Sequence, residues 1–513
     1  MRHISPLKRP KVFRTCKIHY WTNANCLELS EYTFMDNLHI AILGAGPAGL
    51  GAAYRLSQTR RAKVTVLEQN AHVGGNAGSF DLAGMKVDFG SHRLHPACDP
   101  QVLRDIHELL GDDLLDRPRH GRINLRGRWI HFPLKPVDLA LRLPPQFSFG
   151  VASDILQKLV SRDGTSENGE NFASVMEKDL GRTICRDFYF PYARKIWGLA
   201  PEELSSTQAR RRVSNNSLLK MFRKVFSAVP GFKPEGSGRF FYPRYGYGQI
   251  SEAFAQGAQK AGANLNLNAR VKSVQRSKNP DGTFTFTVFY EKDGHEQSIH
   301  ANYVWSTIPI TILARILNPG PPQELIDASR RIDYRAMILV YLVLEQNQFS
   351  EYDAHYFPSE AIKITRLSEP KNYSNGQGPE GQTVLCAELP CSPDDPEWEQ
   401  SDEELSELVR QSLKIAGIPV NAQISQVHVK RIRFAYPIYR SGYETHFNQL
   451  DGWLGQVDGI LTFGRQGLFA HDNTHHALFM AYSAVSCLEE EGSFNEQRWR
   501  DYRAIFETHV VED

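Results

Sequence analysis

Short apolar runs, broken by glycine and charged turns, recur along the 513-residue chain, and their spacing predicts an alternating α/β protein. His39–Leu43 (HIAIL) reads as a short strand. A glycine-rich turn follows, then a helix from about Pro47 to Leu56, with Pro47 in the first turn where its missing N–H is harmless. Lys63–Glu68 (KVTVLE) is a second strand. A strand–turn–helix–strand unit brings its two strands side by side in one direction, and so implies a parallel sheet.

Further along, residues from about Pro96 to Pro234 carry a mostly helical pattern with polar loops. From Gly236 the pattern alternates in strand fashion, with Asp-Gly turns at Asp281 and Asp293. Met337–Leu344 (MILVYLVL) reads as a buried strand, Gln382–Leu389 as another, and the acidic-capped stretch around SDEELSELVRQSLKIAG as a helix. The last block passes from a strand in GILTFGRQG to a helix starting near Thr474. This block looks like a return to the first domain. The expected organisation is therefore interleaved: residues 1–37 an extension, 38–95, 236–320 and 441–513 a nucleotide-binding domain, 96–235 and 321–440 a second domain.

The chemistry begins at the first turn. Gly44, Gly46 and Gly49 form G-x-G-x-x-G between a strand and a helix. The first glycine permits the tight turn, the second lets main chain approach a pyrophosphate, and the third lets helix and strand pack closely. Glu68 ends the next strand, where a carboxylate meets a ribose hydroxyl. An acid there favours FAD or NAD over NADP. Gly74 and Gly75, in HVGGNAGSF, supply a second close approach soon afterwards, and this suits a long dinucleotide. Both turns are expected to line one extended FAD.

Charge and composition narrow the class. There are 59 basic and 58 acidic residues, which excludes the cation excess of a general nucleic-acid binder. No apolar run is long enough to span a bilayer. Seven cysteines, scattered and without metal-type spacing, read as free thiols in a reducing, cytoplasmic setting. The first 37 residues are basic and lack a secretory pattern; they read as a disordered tail or an early start ahead of Met35.

With these motifs in place, the chain resembles the flavoprotein superfamily of amine oxidases, protoporphyrinogen oxidase and UDP-galactopyranose mutase, and is most similar to the mutase-like branch. The turns GGNAGSF and GSHRLH carry that likeness, with YARKIWG, TRLSEPKNY and AYPIY. The resemblance implies a Rossmann-type FAD-binding domain with a parallel sheet, interleaved with a mixed α+β substrate domain. It implies FAD contacts at Asn76, at the backbone of Val271, and at Gly464 and Arg465. It places His92 beside the flavin ring, and Tyr192, Trp197, Arg211, Arg366 and Tyr436 around a substrate. Two departures stand out: His471 and Asn473 occupy positions where the mutases carry tyrosine and aspartate, and Phe222 replaces a second tyrosine.

The residues alone leave alternatives open. Arg211 and Arg366 can clamp a phosphate or carboxylate, or form ordinary salt bridges. Tyr192 and Trp197 can wall a site or fill a core. His92 and His471 are the candidate catalytic groups. His471, His475 and His476 are not expected to hold a metal, since the helix begins only near Thr474. The basic amphipathic stretch Ser217–Phe232 is expected to pack within its domain, with contact to a membrane surface as the alternative. The leading expectation is an FAD-dependent oxidoreductase that moves hydride from a small substrate to flavin N5. The alternative is a nucleotide-sugar mutase with no net redox change.

Overall fold

The computed structural model describes residues 38–132, 138, 142–160, 169–212, 238–376 and 378–511. The basic N-terminal extension with Met35, the Ser217–Phe232 stretch and Phe222 lie outside the described residues.

A five-stranded parallel sheet forms around the first motif. Its order is Ile460–Thr462, Tyr303–Ser306, His39–Leu43, Lys63–Leu67, Asn264–Asn266. The central strands are buried on both faces, which explains their unbroken apolar runs. Ile40, Ile42, Val64, Val66 and Trp305 face helices Pro47–Thr59, Gln249–Lys260 and Thr474–Ser486. Ala41, Leu43, Leu67 and Val304 face Val274, Phe286 and Val288 of a four-stranded sheet and the helix Tyr443–Leu454. The sheet thus draws on three widely separated stretches of chain.

A seven-stranded mixed sheet carries the other half. Its order is Ile424–Pro437, Tyr334–Leu344, Thr383–Cys391, Arg366–Ser368, Ala354–Tyr356, Gly121–Leu125, Arg128–Phe132. Ile338, Val340, Leu342, Leu385 and Ala387 pack against the helix Asp402–Ile415, whose start is fixed by a capping box between Ser401 and Glu404. Met337 and Leu339 point to the opposite face, toward a cavity.

Among the described residues of 96–234 most are helical, and Gly121–Leu125 and Arg128–Phe132 add a hairpin that joins the seven-stranded sheet. Arg126 and Gly127 take φ of 52° and 72° at its tip, the left-handed pair that a tight hairpin turn demands. Ile123, Leu125 and Ile130 are buried, while Arg122, Trp129 and His131 beside them are only partly so. Among the described residues, no helix is long and apolar enough to cross a membrane.

Candidate active site

The two glycine turns meet. The Gly74 N–H donates to Ala45 O at 2.8 Å, and a Cβ on Gly75 would lie 3.4 Å from Gly46 Cα. Gly44 and Gly74 have φ of 99° and 103°, open to glycine and strained for other residues. A Cβ on Gly49 would sit 2.0 Å from Gly44 O, so helix and strand can approach this closely only without a side chain. Glu68 is buried and ties the turn together: its Oε2 accepts from Ala45 N at 2.8 Å and its Oε1 from Asn70 N at 2.9 Å.

These residues open onto a cavity of about 620 Å³, lined by Gly44, Gly46, Glu68, Gly75, Asn76, His92, Arg465 and Gln466 among others. Gly46 would have nothing within 4 Å of an added Cβ, so bare main chain and a helix N-terminus face the space. Arg465 Nε and Gln466 Oε1 are buried on its wall without a partner. A buried donor and acceptor left unmet are costly, and a polar ligand lying along this wall would satisfy both. Gly464 stands just behind, with φ of 79° and room for no Cβ, since Ala48 Cβ would be 2.6 Å away. Val271 does not line the cavity; its neighbour Arg270 does.

A second, smaller cavity of about 130 Å³ adjoins the first. Asn76, Ser91, His92, Arg366, Arg465 and Asn473 border both. Its remaining wall brings Tyr192, Arg212, Glu388, Tyr436 and His471 together. Arg366 and Glu388 are cross-strand partners, and their side chains pair at 2.8 Å and 2.9 Å through Nη2 and Nε. The same Glu388 oxygen takes the Ser91 N–H at 2.8 Å, which fixes the loop carrying His92. Arg465 lies over the Tyr436 ring at 5.3 Å, and Tyr436 meets His471 at a ring separation of 5.1 Å.

Burial and positive charge set the protonation states. His92 is pushed down to about 4 by burial and then by Arg366, with its hydrogen bond to Phe89 O opposing. His471 is driven well below the ordinary histidine range by burial, then by Arg212, Arg465 and Arg211. Both are neutral hydrogen-bonding groups at neutral pH. Below this loop, burial pushes Asp88 up to about 6, although it accepts from Ser79 Oγ, Tyr242 OH and Tyr247 N.

Two expected substrate contacts are placed elsewhere. Arg211 turns away from the cavity to pair with Asp472 at 3.4 Å and Glu507 at 2.8 Å; consecutive helical residues point about 100° apart, and Arg212 takes the inward direction. Trp197 is buried against Phe172 and supports Arg212, whose guanidinium lies 4.9 Å over its ring, but it does not reach the cavity. Sequence reasoning missed Glu388 and Arg212. A lone acid inside the apolar strand TVLCAELPC was the available signal for Glu388. Asp472, His476 and His509 group their ligand atoms within 4.8 Å, with Asp472 already engaged by Arg211 and by His509.

A model of flavin containing amine oxidoreductases matches residues 47–462. The chain belongs to that family. Its cofactor is FAD, and the orphaned polar atoms and bare main chain of the larger cavity fit that group. Among its relatives, protoporphyrinogen oxidase 2 of Arabidopsis thaliana is 20% identical over 498 residues, 88% of this chain and 94% of its own. A dTDP-fucopyranose mutase of Escherichia coli is 23% identical over 200 residues, 38% of this chain and 52% of its own. A reduced UDP-galactopyranose mutase structure superposes with a TM-score of 0.75 at 20% identity, over 93% of this chain and 100% of that one. The chain spans 66% and 65% of the length of the first two curated relatives that it matches.

Proposed function

We propose that this member of the family is an FAD-dependent oxidoreductase acting on a small anionic substrate held in the smaller cavity. The observation that carries the reading is the convergence of Arg366, Arg212 and Arg465 on one small space that borders the glycine-lined cavity. Three guanidiniums against one carboxylate, Glu388, leave the wall with a net positive charge, and a carboxylate or phosphate is the complementary ligand.

FAD, when bound, supplies a two-electron acceptor. Gly44, Gly46, Glu68, Gly75, Asn76, Arg465 and Gln466 would hold it. Arg366 and Arg212 fix the anionic end of the substrate, while Tyr192 and Tyr436 confine its body. His92 is stacked with Tyr247 at 5.2 Å and tied to Phe89 O at 3.0 Å, so it offers a fixed neutral imidazole rather than an acid at pH 7. The test is anaerobic mixing of the FAD-loaded protein with amino acids, hydroxy acids and nucleotide sugars while following the 450 nm band. Bleaching by an anionic substrate, and its loss in Arg366→Gln, are the expected results; no bleaching with any anionic substrate would refute the reading.

A second reading is a nucleotide-sugar mutase. It is favoured by the same arginines, which suit a diphosphate, and by the backbone likeness to UDP-galactopyranose mutase. His471 and Asn473, in place of tyrosine and aspartate, weigh against it. Conversion of UDP-galactose by the pre-reduced protein without consumption of reductant separates the two readings.

A further inference from the structure

The segment after the last helix, Glu496–Phe506, runs back across the substrate side of the molecule. Glu507 Oε2 accepts from Arg211 Nη2 at 2.8 Å. His509 Nδ1 meets Asp472 Oδ2 at 2.9 Å, and its ring stacks on His476 at 4.2 Å and 14°. The Val511 N–H donates to Arg211 O at 2.9 Å. Val511 then forms part of the wall of the smaller cavity, beside Arg212, His471 and Asn473.

Arg211 is the centre of this arrangement. Its guanidinium binds Glu507 and Asp472, and its carbonyl binds Val511. Asp472 in turn gives its carbonyl to Arg465 Nη1 at 2.9 Å, so the segment is connected to a residue that lines both cavities. Glu507 is 63% exposed in its side chain, whereas Asp472 is fully buried, so the outer contact is the weaker one.

We propose that Glu507–Val511 is a strap that completes the substrate cavity, that Arg211 is its latch, and that Val511 limits the size of the ligand. The proposal rests on the smaller cavity being the substrate site. It makes Arg211 a positioning residue that acts through the strap, and leaves direct contact with the anion to Arg212 and Arg366.

The experiment uses full-length, FAD-loaded protein with Glu507→Gln, Val511→Gly and Val511→Trp. Glu507→Gln touches only an exposed end of the latch, so the fold is kept. Three readouts apply: acrylamide quenching of flavin fluorescence, binding of inorganic pyrophosphate followed by flavin absorbance, and amide exchange of the C-terminal peptide. Expected are a quenching slope raised at least about twofold in Glu507→Gln and Val511→Gly, and pyrophosphate binding weakened about tenfold in Val511→Trp at unchanged FAD content. The C-terminal peptide should exchange about two- to fivefold faster in Glu507→Gln. Quenching slopes and exchange rates equal to wild type in Glu507→Gln and Val511→Gly would overturn the strap. Wild-type protein that ignores pyrophosphate would overturn the anion-site reading instead, while quenching and exchange still judge the strap.

Discussion

Glu388→Gln should destabilise the protein and yet strengthen its hold on anions. Glu388 and Arg366 are 4% and 13% exposed and pair at 2.8 Å. Two charges about 4 Å apart attract by about 4 kcal/mol at an effective dielectric constant of 20. Glutamine keeps an acceptor for the Ser91 N–H but loses the charge, and the buried guanidinium is left uncompensated. A loss of about 3–5 kcal/mol in unfolding free energy is expected. The freed guanidinium faces the cavity, so pyrophosphate should bind about tenfold more tightly to the variant. At 100 times its dissociation constant, that ligand should restore about 2.7 kcal/mol. Urea unfolding of FAD-loaded protein, with and without pyrophosphate, measures both effects. Arg366→Gln combined with Glu388→Gln should recover much of the loss, since neither charge is then stranded. A single variant that unfolds at the wild-type midpoint, or that pyrophosphate fails to rescue, would refute the reasoning.

Other expectations are more direct. Gly49→Ala places a methyl 2.0 Å from Gly44 O, and should yield protein without the yellow FAD absorbance, checked by the ratio of 450 to 280 nm absorbance against wild type. Trp197→Phe keeps the packing but weakens the support under Arg212; about a two- to fivefold loss of pyrophosphate affinity at unchanged FAD content is expected, and titration of the flavin spectrum reads it. His355 is pushed down to about 3 by burial and then by Arg122, so the fold favours its neutral form. Its contribution is full above the ordinary histidine value and is lost as pH falls from about 6.5 toward 3; His355→Phe should flatten the stability curve over pH 4–6 by up to about 1.4 kcal/mol per unit, measured by urea unfolding across that range. Asp88 has the opposite sign: with its value raised to about 6, its contribution is present below the ordinary carboxylate range and lost as pH rises through 6, so Asp88→Asn should gain relative stability above pH 6.

The chain's spacing made the nucleotide unit legible because its physics is local. A strand, three glycines at fixed offsets and an acid at the next strand end are set by turn geometry and main-chain approach, and Gly44, Gly49 and Glu68 make those contacts. The smaller cavity was legible only in part. Arg366 and Tyr436 face it because strand alternation puts them there, but the choice between Arg211 and Arg212 depends on the rotation of the short helix Ser206–Arg212. That rotation is settled by Glu507 and Asp472, residues over 260 positions away, and no local pattern reports it. The hairpin at 121–132 was hidden because its partner strand, Ala354–Tyr356, is distant in the chain.

The order of the parallel sheet has a consequence for biosynthesis. Its edge strand, Ile460–Thr462, is synthesised long after the first strand, His39–Leu43. Until that final segment arrives, Tyr303–Ser306 presents an open edge, and Arg465 and Gln466 are missing from the wall. Before then the nascent polypeptide cannot enclose its nucleotide, and a bare strand is available for mispairing. Prosthetic-group capture therefore has to wait until the Ile460–Thr462 segment and the wall residues after it have been made.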